Sequence, residues 1–173
     1  MLRLSQSISN LPVMSLRTLG GVAMAEEPII NPNNLKIEGW HCKDHFSKRE
    51  FILLSQDVRD IVPQGIAIDD YDRLSEPGEL IRMQEILSFQ FVLIGKQVVT
   101  DSGRKVGKVN DYAADSTSFL VQKLYISLPV YKNIKGGQIS IDRQQIVEIT
   151  DKNIVVRDVE EKVDSRSPAF ARV

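Results

Sequence analysis

The chain has 173 residues, 42% of them hydrophobic and 26% charged, with a net charge of −1. That balance describes an ordinary globular protein, large enough for one domain or two small ones. It lacks the strongly basic composition expected where phosphate contacts dominate binding, so nucleic acid is not the default partner.

The first 25 residues carry Arg3, Arg17 and serines 5, 7, 9 and 15, with no acid before Glu26. They resemble a targeting peptide, but Pro12, Ser15, Arg17 and Thr18 break the apolar run a secretory core needs. The stretch from Val13 to Ala25 reads instead as the opening strand of a folded unit. No run approaches the ~20 apolar residues of a membrane span, and no membrane association is expected. The one cysteine, Cys42, rules out an intramolecular disulfide and fits a reducing, cytoplasmic compartment.

Trp40-His41-Cys42-Lys43-Asp44-His45 holds both histidines and the cysteine, a set chemically competent for zinc. In a strand, however, His41 and Cys42 point to opposite faces, and no second Cys or His cluster completes a site with His45. The expectation is a hairpin approach with Trp40 in the core, equivalent to Asn110–Asp115 later in the chain, and no metal.

At Glu76 to Leu87 the apolar period changes. Leu80, Met83, Ile86 and Leu87 recur three or four apart behind Pro77, with Ser75 able to cap, which predicts a short amphipathic helix. Gln97 to Thr100 is then a strand closed by Asp101-Ser102-Gly103-Arg104, a hairpin turn in which Gly103 takes a positive φ. Gly107 marks a bulge in the returning strand. Phe119 to Ser127 alternates, Gly136-Gly137 turns, and three short strands follow through Val156. Asp142, three residues before Gln145, predicts a capped helical turn. Residues 163–173 lack periodicity and read as a flexible tail.

Two echoes suggest that the chain is written twice. A hydrophobic run into Gly20 recurs before Gly95, an offset of 75, and Ile66-Ala67-Ile68-Asp69 recurs as Ile139-Ser140-Ile141-Asp142, an offset of 73. Near-constant spacing indicates duplication of one folding unit. The expected organisation is repeat 1 over 7–75, a linker helix over 76–90, repeat 2 over 91–162, and the tail. At roughly 70 residues each, the copies sit near the lower size limit for an independent core, so they should lean on each other. Their charges differ: residues 15–90 hold 8 Lys/Arg against 13 Asp/Glu, residues 91–162 hold 11 against 9.

The segment Ile94–Thr100, Gly103–Tyr112 and Ile139–Asp142 with Ile146–Ile149 resembles the PRC-barrel family. That family includes the cytoplasmic domain of the photosynthetic reaction-centre H subunit and the C-terminal domain of the 16S ribosomal RNA maturation factor. The match is looser in the first copy, where Asn31–Trp40 replaces the glycine-rich hairpin. The resemblance implies a mainly β fold of two tandem small PRC-type β-barrels joined by a short helix, used for docking without chemistry of its own. Its motifs are structural: Gly20, Gly95, Gly103, Gly107, Gly137, Asp69 and Asp142.

The function expected is a non-enzymatic adaptor binding a protein through strand edges and the groove between the two units. The alternative is a ribosome-assembly or RNA-processing factor, with Arg104, Lys105 and Lys108, and Lys132 and Lys135 farther on, meeting phosphates. No nucleophile–base pair, phosphate loop or metal quartet supports an enzyme, and no cofactor is expected.

Overall fold

The computed structural model describes residues 1–130 and 137–158. The expected tail, the close of repeat 2 beyond Asp158, and Lys132, Lys135 and Gly136 lie outside these residues. The fold is mainly β, with two seven-stranded sheets and one short α-helix. The first sheet uses β2 (Leu11–Ser15), β3 (Gly21–Asn31), β4 (Lys36–Asp44), β5 (Glu50–Leu54), β6 (Val58–Val62), β7 (Gly65–Ile68) and β8 (Leu74–Ser75), in the order β6-β7-β2-β3-β4-β5-β8. The second runs β12-β11-β10-β9-β14-β13. It is built from β9 (Gln97–Thr100), β10 (Lys105–Asp115), β11 (Val121–Ser127), β12 (Gln138–Asp142), β13 (Ile146–Ile149) and β14 (Asn153–Val156). Its seventh strand is β1 (Leu2–Leu4), from the far end of the chain, which pairs with β10. Among the described residues neither ladder closes end to end.

Strand register repeats between the two sheets. In the first copy Val13 lies opposite Ile66, Ala25 opposite Cys42, Pro28 opposite Trp40 and Ile30 opposite Ile37. The second copy repeats this with Val98 and Ile154, Val109 and Ile126, Tyr112 and Leu124, Ala114 and Val121. In each copy the first of these pairs is parallel and the others antiparallel. The offset is 84 from Ala25 to Val109 and 88 from Leu54 to Asp142, the difference falling between β11 and β12.

This corrects the offset of 73 to 75. Asp142 ends β12, whose counterpart β5 ends at Leu54, while Asp69 follows β7, the counterpart of β14, and so matches Arg157. The two Ile-x-Ile-Asp motifs lie in different strands, because a period-two pattern fits any half-buried strand. Gly20 likewise matches Arg104, and the Asn110–Asp115 match for Trp40–His45 gives way to one with β11. At the turn after β2 the left-handed residue is Leu19 (φ 57°), equivalent to Gly103 (φ 86°); Gly95 (φ 89°) is matched by Asn10 (φ 53°).

The equivalent acids are Asp70 and Asp158. Asp70 accepts from the Ser15 hydroxyl at 3.0 Å and Arg17 at 2.9 Å, and Asp158 accepts from the Ser102 hydroxyl at 2.7 Å and Arg104 at 2.8 Å. Each clasps the turn of its copy's first hairpin. Asp70 is held below the usual carboxylate range by the Tyr71 N–H first, then by Ser15 and Arg17. Asp69 pairs with Arg59 at 2.6 Å, which lowers its pKa too, and does not cap. Asp142 forms the expected capping box with Gln145, whose side-chain oxygen accepts the Asp142 N–H at 2.8 Å.

One apolar core serves both sheets. Val13, Ile37, Trp40, Leu53 and Ile66 of the first copy belong to the same cluster as Val98, Val121, Leu124, Ile126 and Ile154 of the second. The junction is reciprocal: Ile37 N–H donates to the Phe119 carbonyl at 2.8 Å, and Val121 N–H donates to the Leu35 carbonyl at 2.9 Å. Residues 35 and 119 are equivalents, as are 37 and 121, so the copies meet about a pseudo-twofold axis at the Lys36–Leu120 bridge. Leu35 (φ 53°) and Phe119 (φ 58°) share the same left-handed kink, unusual for bulky side chains. The Trp40 ring meets Phe119 edge-on at 5.7 Å, and its indole N–H donates to the Ile8 carbonyl at 2.7 Å.

The linker forms two short 3-10 turns, Pro77–Glu79 and Ile81–Met83, then α1 (Gln84–Phe89). Glu76 caps it in place of Ser75, pairing with Glu79 across the first turn. Met83, Leu80, Ile86 and Leu87 cover Ile29, Ile52 and Leu54 on the outer face of the first sheet. The equivalents in the second copy are Ala113, Ser140 and Asp142, which need no apolar cover.

Gly107 allows the close approach of β10 to β11, since an added Cβ would collide with the Ser127 carbonyl oxygen. A register shift sits beside it, between Lys105 and Gly107, in the pairing with β9. Backbone cannot yield as a flexible side-chain tip would. Gly107→Ala should therefore lower the unfolding free energy by roughly 1–3 kcal/mol, read from the midpoint of a urea titration, with an unchanged midpoint contradicting the packing.

Candidate functional site

Where the copies meet, on the side of the N-terminal segment, the surface opens into a groove of about 620 Å³. Four stretches wall it: Ser5 to Leu11, Glu27 to Ile30, Phe91 to Ile94, and Tyr112. Pro28 and Tyr112 are equivalent positions, as are Ile8 and Leu93, so the groove straddles the same pseudo-twofold relation as the junction.

Its two flanks differ because the segments that lead into each copy differ. Ser5–Ser7 forms a 3-10 turn closed by Ile8 N–H on the Ser5 carbonyl at 3.2 Å and the Ser9 hydroxyl on the same oxygen at 2.8 Å. In the second copy the segment leading into Gly95 makes no such turn: Phe91–Leu93 belongs to no helix or strand and Ile94 begins a turn, with Leu93 buried and Val92 and Ile94 65% and 46% exposed. Among the described residues none of its four N–H groups finds an acceptor.

The polar groups of the groove are mostly acidic or neutral. Ser5 donates its hydroxyl to Asp111 at 2.5 Å, Glu27 makes no ion pair among the described residues, and no cation lines the cavity. Lys96, close by, sets its ammonium 4.9 Å from the Phe91 ring centre and donates to the Asp151 carbonyl at 2.5 Å. Tyr112 stays protonated, its pKa raised by burial first and then by the charges of Asp111 and Glu27.

The residues singled out for metal are spread apart: His41 and Cys42 lie on opposite faces of β4, and His45 follows in the turn. Cys42 points into the core and is buried, while His41 and His45 are exposed. Burial pushes the Cys42 thiol up to about 12, far from a metal-binding thiolate. Asp44, the acid between them, is buried at the end of β4. Burial opposes its ionisation, but the Ser47 hydroxyl and N–H, donating at 2.5 and 2.6 Å, hold it ionised. The basic trio also divides: Arg104 is paired with Asp158, Lys105 has a partner of its own, and Lys108 stands exposed on β10. Gly137 accepts the Leu128 N–H at 2.9 Å across the β11–β12 connection.

The groove residues were invisible as a set in the sequence, since they come from four separated stretches. Two signals were available: Phe91-Val92-Leu93-Ile94 is strongly apolar yet lies outside the strand pattern, and Pro28 within β3 and Pro32 just after it remove two backbone donors from that edge. No protein-family model matches the chain, and no curated protein matches it.

A thiol placed in this way should be inert in the native protein. Incubation with a thiol reagent at pH 8 should leave Cys42 unmodified until denaturant is added, when one equivalent reacts; immediate modification of the native chain would contradict its burial.

Proposed function

We propose that this protein is a non-catalytic docking module, a pair of PRC-barrel-like units that holds a protein partner in the groove between them. The observation that carries the reading is the groove itself. It is large enough to bury several side chains, and Leu11, Pro28, Ile30, Val92 and Ile94 give it apolar walls. Exposed apolar surface that persists beside a well-packed core marks an interaction site. Among the described residues the groove's polar complement is three hydroxyls, two amides and one carboxylate; its one hydroxyl–carboxylate pair, Ser5 with Asp111, has no histidine or lysine among the lining residues.

The ribosomal or RNA-binding reading draws less support. Its cation Arg104 is already committed to Asp158, and among the described residues the groove has no cation on its walls.

Immobilised full-length protein should retain a specific protein from its native extract after nuclease treatment. Val92→Arg, which places a cation in the groove at an exposed position, should reduce that retention at least tenfold without changing the fold. Recovery of RNA alone, or retention indifferent to Val92→Arg, would remove the reading.

A further inference from the structure

Within this docking reading, the backbone around the groove narrows the shape of the partner. The chain already contains one strand added across the junction: β1 pairs with β10, Arg3 opposite Ala114, and the Ser116 N–H continues the ladder to the Met1 carbonyl at 2.9 Å. The equivalent edge of β3 cannot be used in the same way. Pro28 and Pro32 occupy the positions of Tyr112 and Ser116, and the N–H that Ser116 contributes is missing at Pro32. The segment that would fill that place by symmetry is helical instead, as α1, and covers the outer face of the first sheet. The result is an open place at the junction, beside an irregular stretch whose own donors are unspent among the described residues.

That stretch is Phe91–Ile94. Its four N–H groups are unpaired among the described residues, its side chains alternate between buried Leu93 and exposed Val92 and Ile94, and it forms one wall of the apolar groove. An unpaired extended edge with alternating apolar side chains is the template for strand addition. A helix seated there would leave those donors unmet, because a helix satisfies its own backbone. The charge of the groove fixes a second feature. Glu27 is a carboxylate on the wall with no ion pair among the described residues, Asp111 lies behind Ser5, and Lys96 is turned onto Phe91 and the Asp151 carbonyl.

We infer that the groove takes one extended segment of a partner protein, apolar at alternate residues and carrying a lysine or arginine opposite Glu27, which pairs its backbone with Phe91–Ile94. Backbone pairing supplies affinity that tolerates many sequences. The apolar walls and Glu27 supply the selection.

The inference rests on the docking reading, and the test separates the two. Random ten-residue peptides displayed on phage would be selected against the full-length protein, and the winners made synthetically. Expected winners alternate apolar residues, carry a Lys or Arg, and bind at least tenfold more weakly to Glu27→Lys; replacing the peptide's basic residue by Glu restores binding to that variant. Amide exchange of Val92 or Ile94 should slow at least tenfold on binding. Acidic or helical winners, an indifferent Glu27→Lys, unaltered exchange at both residues, or no winners at all would overturn the strand-addition proposal. If a protein captured from extract is still lost on Val92→Arg in any of those cases, the docking reading stands and only the added strand falls.

Discussion

Two equivalent backbone hydrogen bonds, Ile37 to Phe119 and Val121 to Leu35, set how the halves of this molecule face each other. They fix register more than they supply energy. A net gain of about 1 kcal/mol each is small beside the burial of Leu35, Ile37, Val121 and Trp40, where each fully buried large apolar side chain contributes roughly 1.5–3 kcal/mol. The left-handed kinks at Leu35 and Phe119 make both terms possible together, since each turns its strand so that a carbonyl reaches across while the flanking side chains face inward. Units of this size have little margin of their own, and the shared core removes the need for it.

The asymmetry between the copies is where function becomes conceivable. A perfect duplicate would fill the junction identically on both sides. Here Pro32 lacks the N–H that Ser116 gives to the added strand of the second copy, Pro28 lies on the same edge, and the equivalent segment is a helix over Ile29, Ile52 and Leu54. The groove and the free edge at Phe91–Ile94 are consequences of those two prolines and of the apolar outer face beside them. The residues that make the structure asymmetric are thus the ones that make it a candidate for recognition.

Much of the local structure was legible in the sequence. Alternation marked the strands, Gly103 and Gly107 marked a turn and a close approach, and the Asp142–Gln145 spacing marked a capped turn, because each is decided by neighbours within a few residues. The offset between the copies suggested by matching strings falls short by nine residues at Gly20 and by fifteen at Asp69. Ile66–Asp69 and Ile139–Asp142 match each other as strings, yet the strands they end, β7 and β12, hold different places in their sheets. The true markers, Asp70 and Asp158 with Arg17 and Arg104, are pairings across more than fifty residues, which no local pattern reveals. The passage of β1 to the far sheet was hidden for the same reason. Three residues, Leu2–Leu4, carry too little pattern to specify a partner strand more than a hundred residues away.

The interdependence of the copies can be measured directly by scanning calorimetry of the full-length protein. One transition, with calorimetric and van't Hoff enthalpies equal, is the result expected of a single core held about a reciprocal junction. Two resolved transitions, or a van't Hoff enthalpy about half the total calorimetric value, would mean that each half folds and melts by itself, and the account of a shared core would fail.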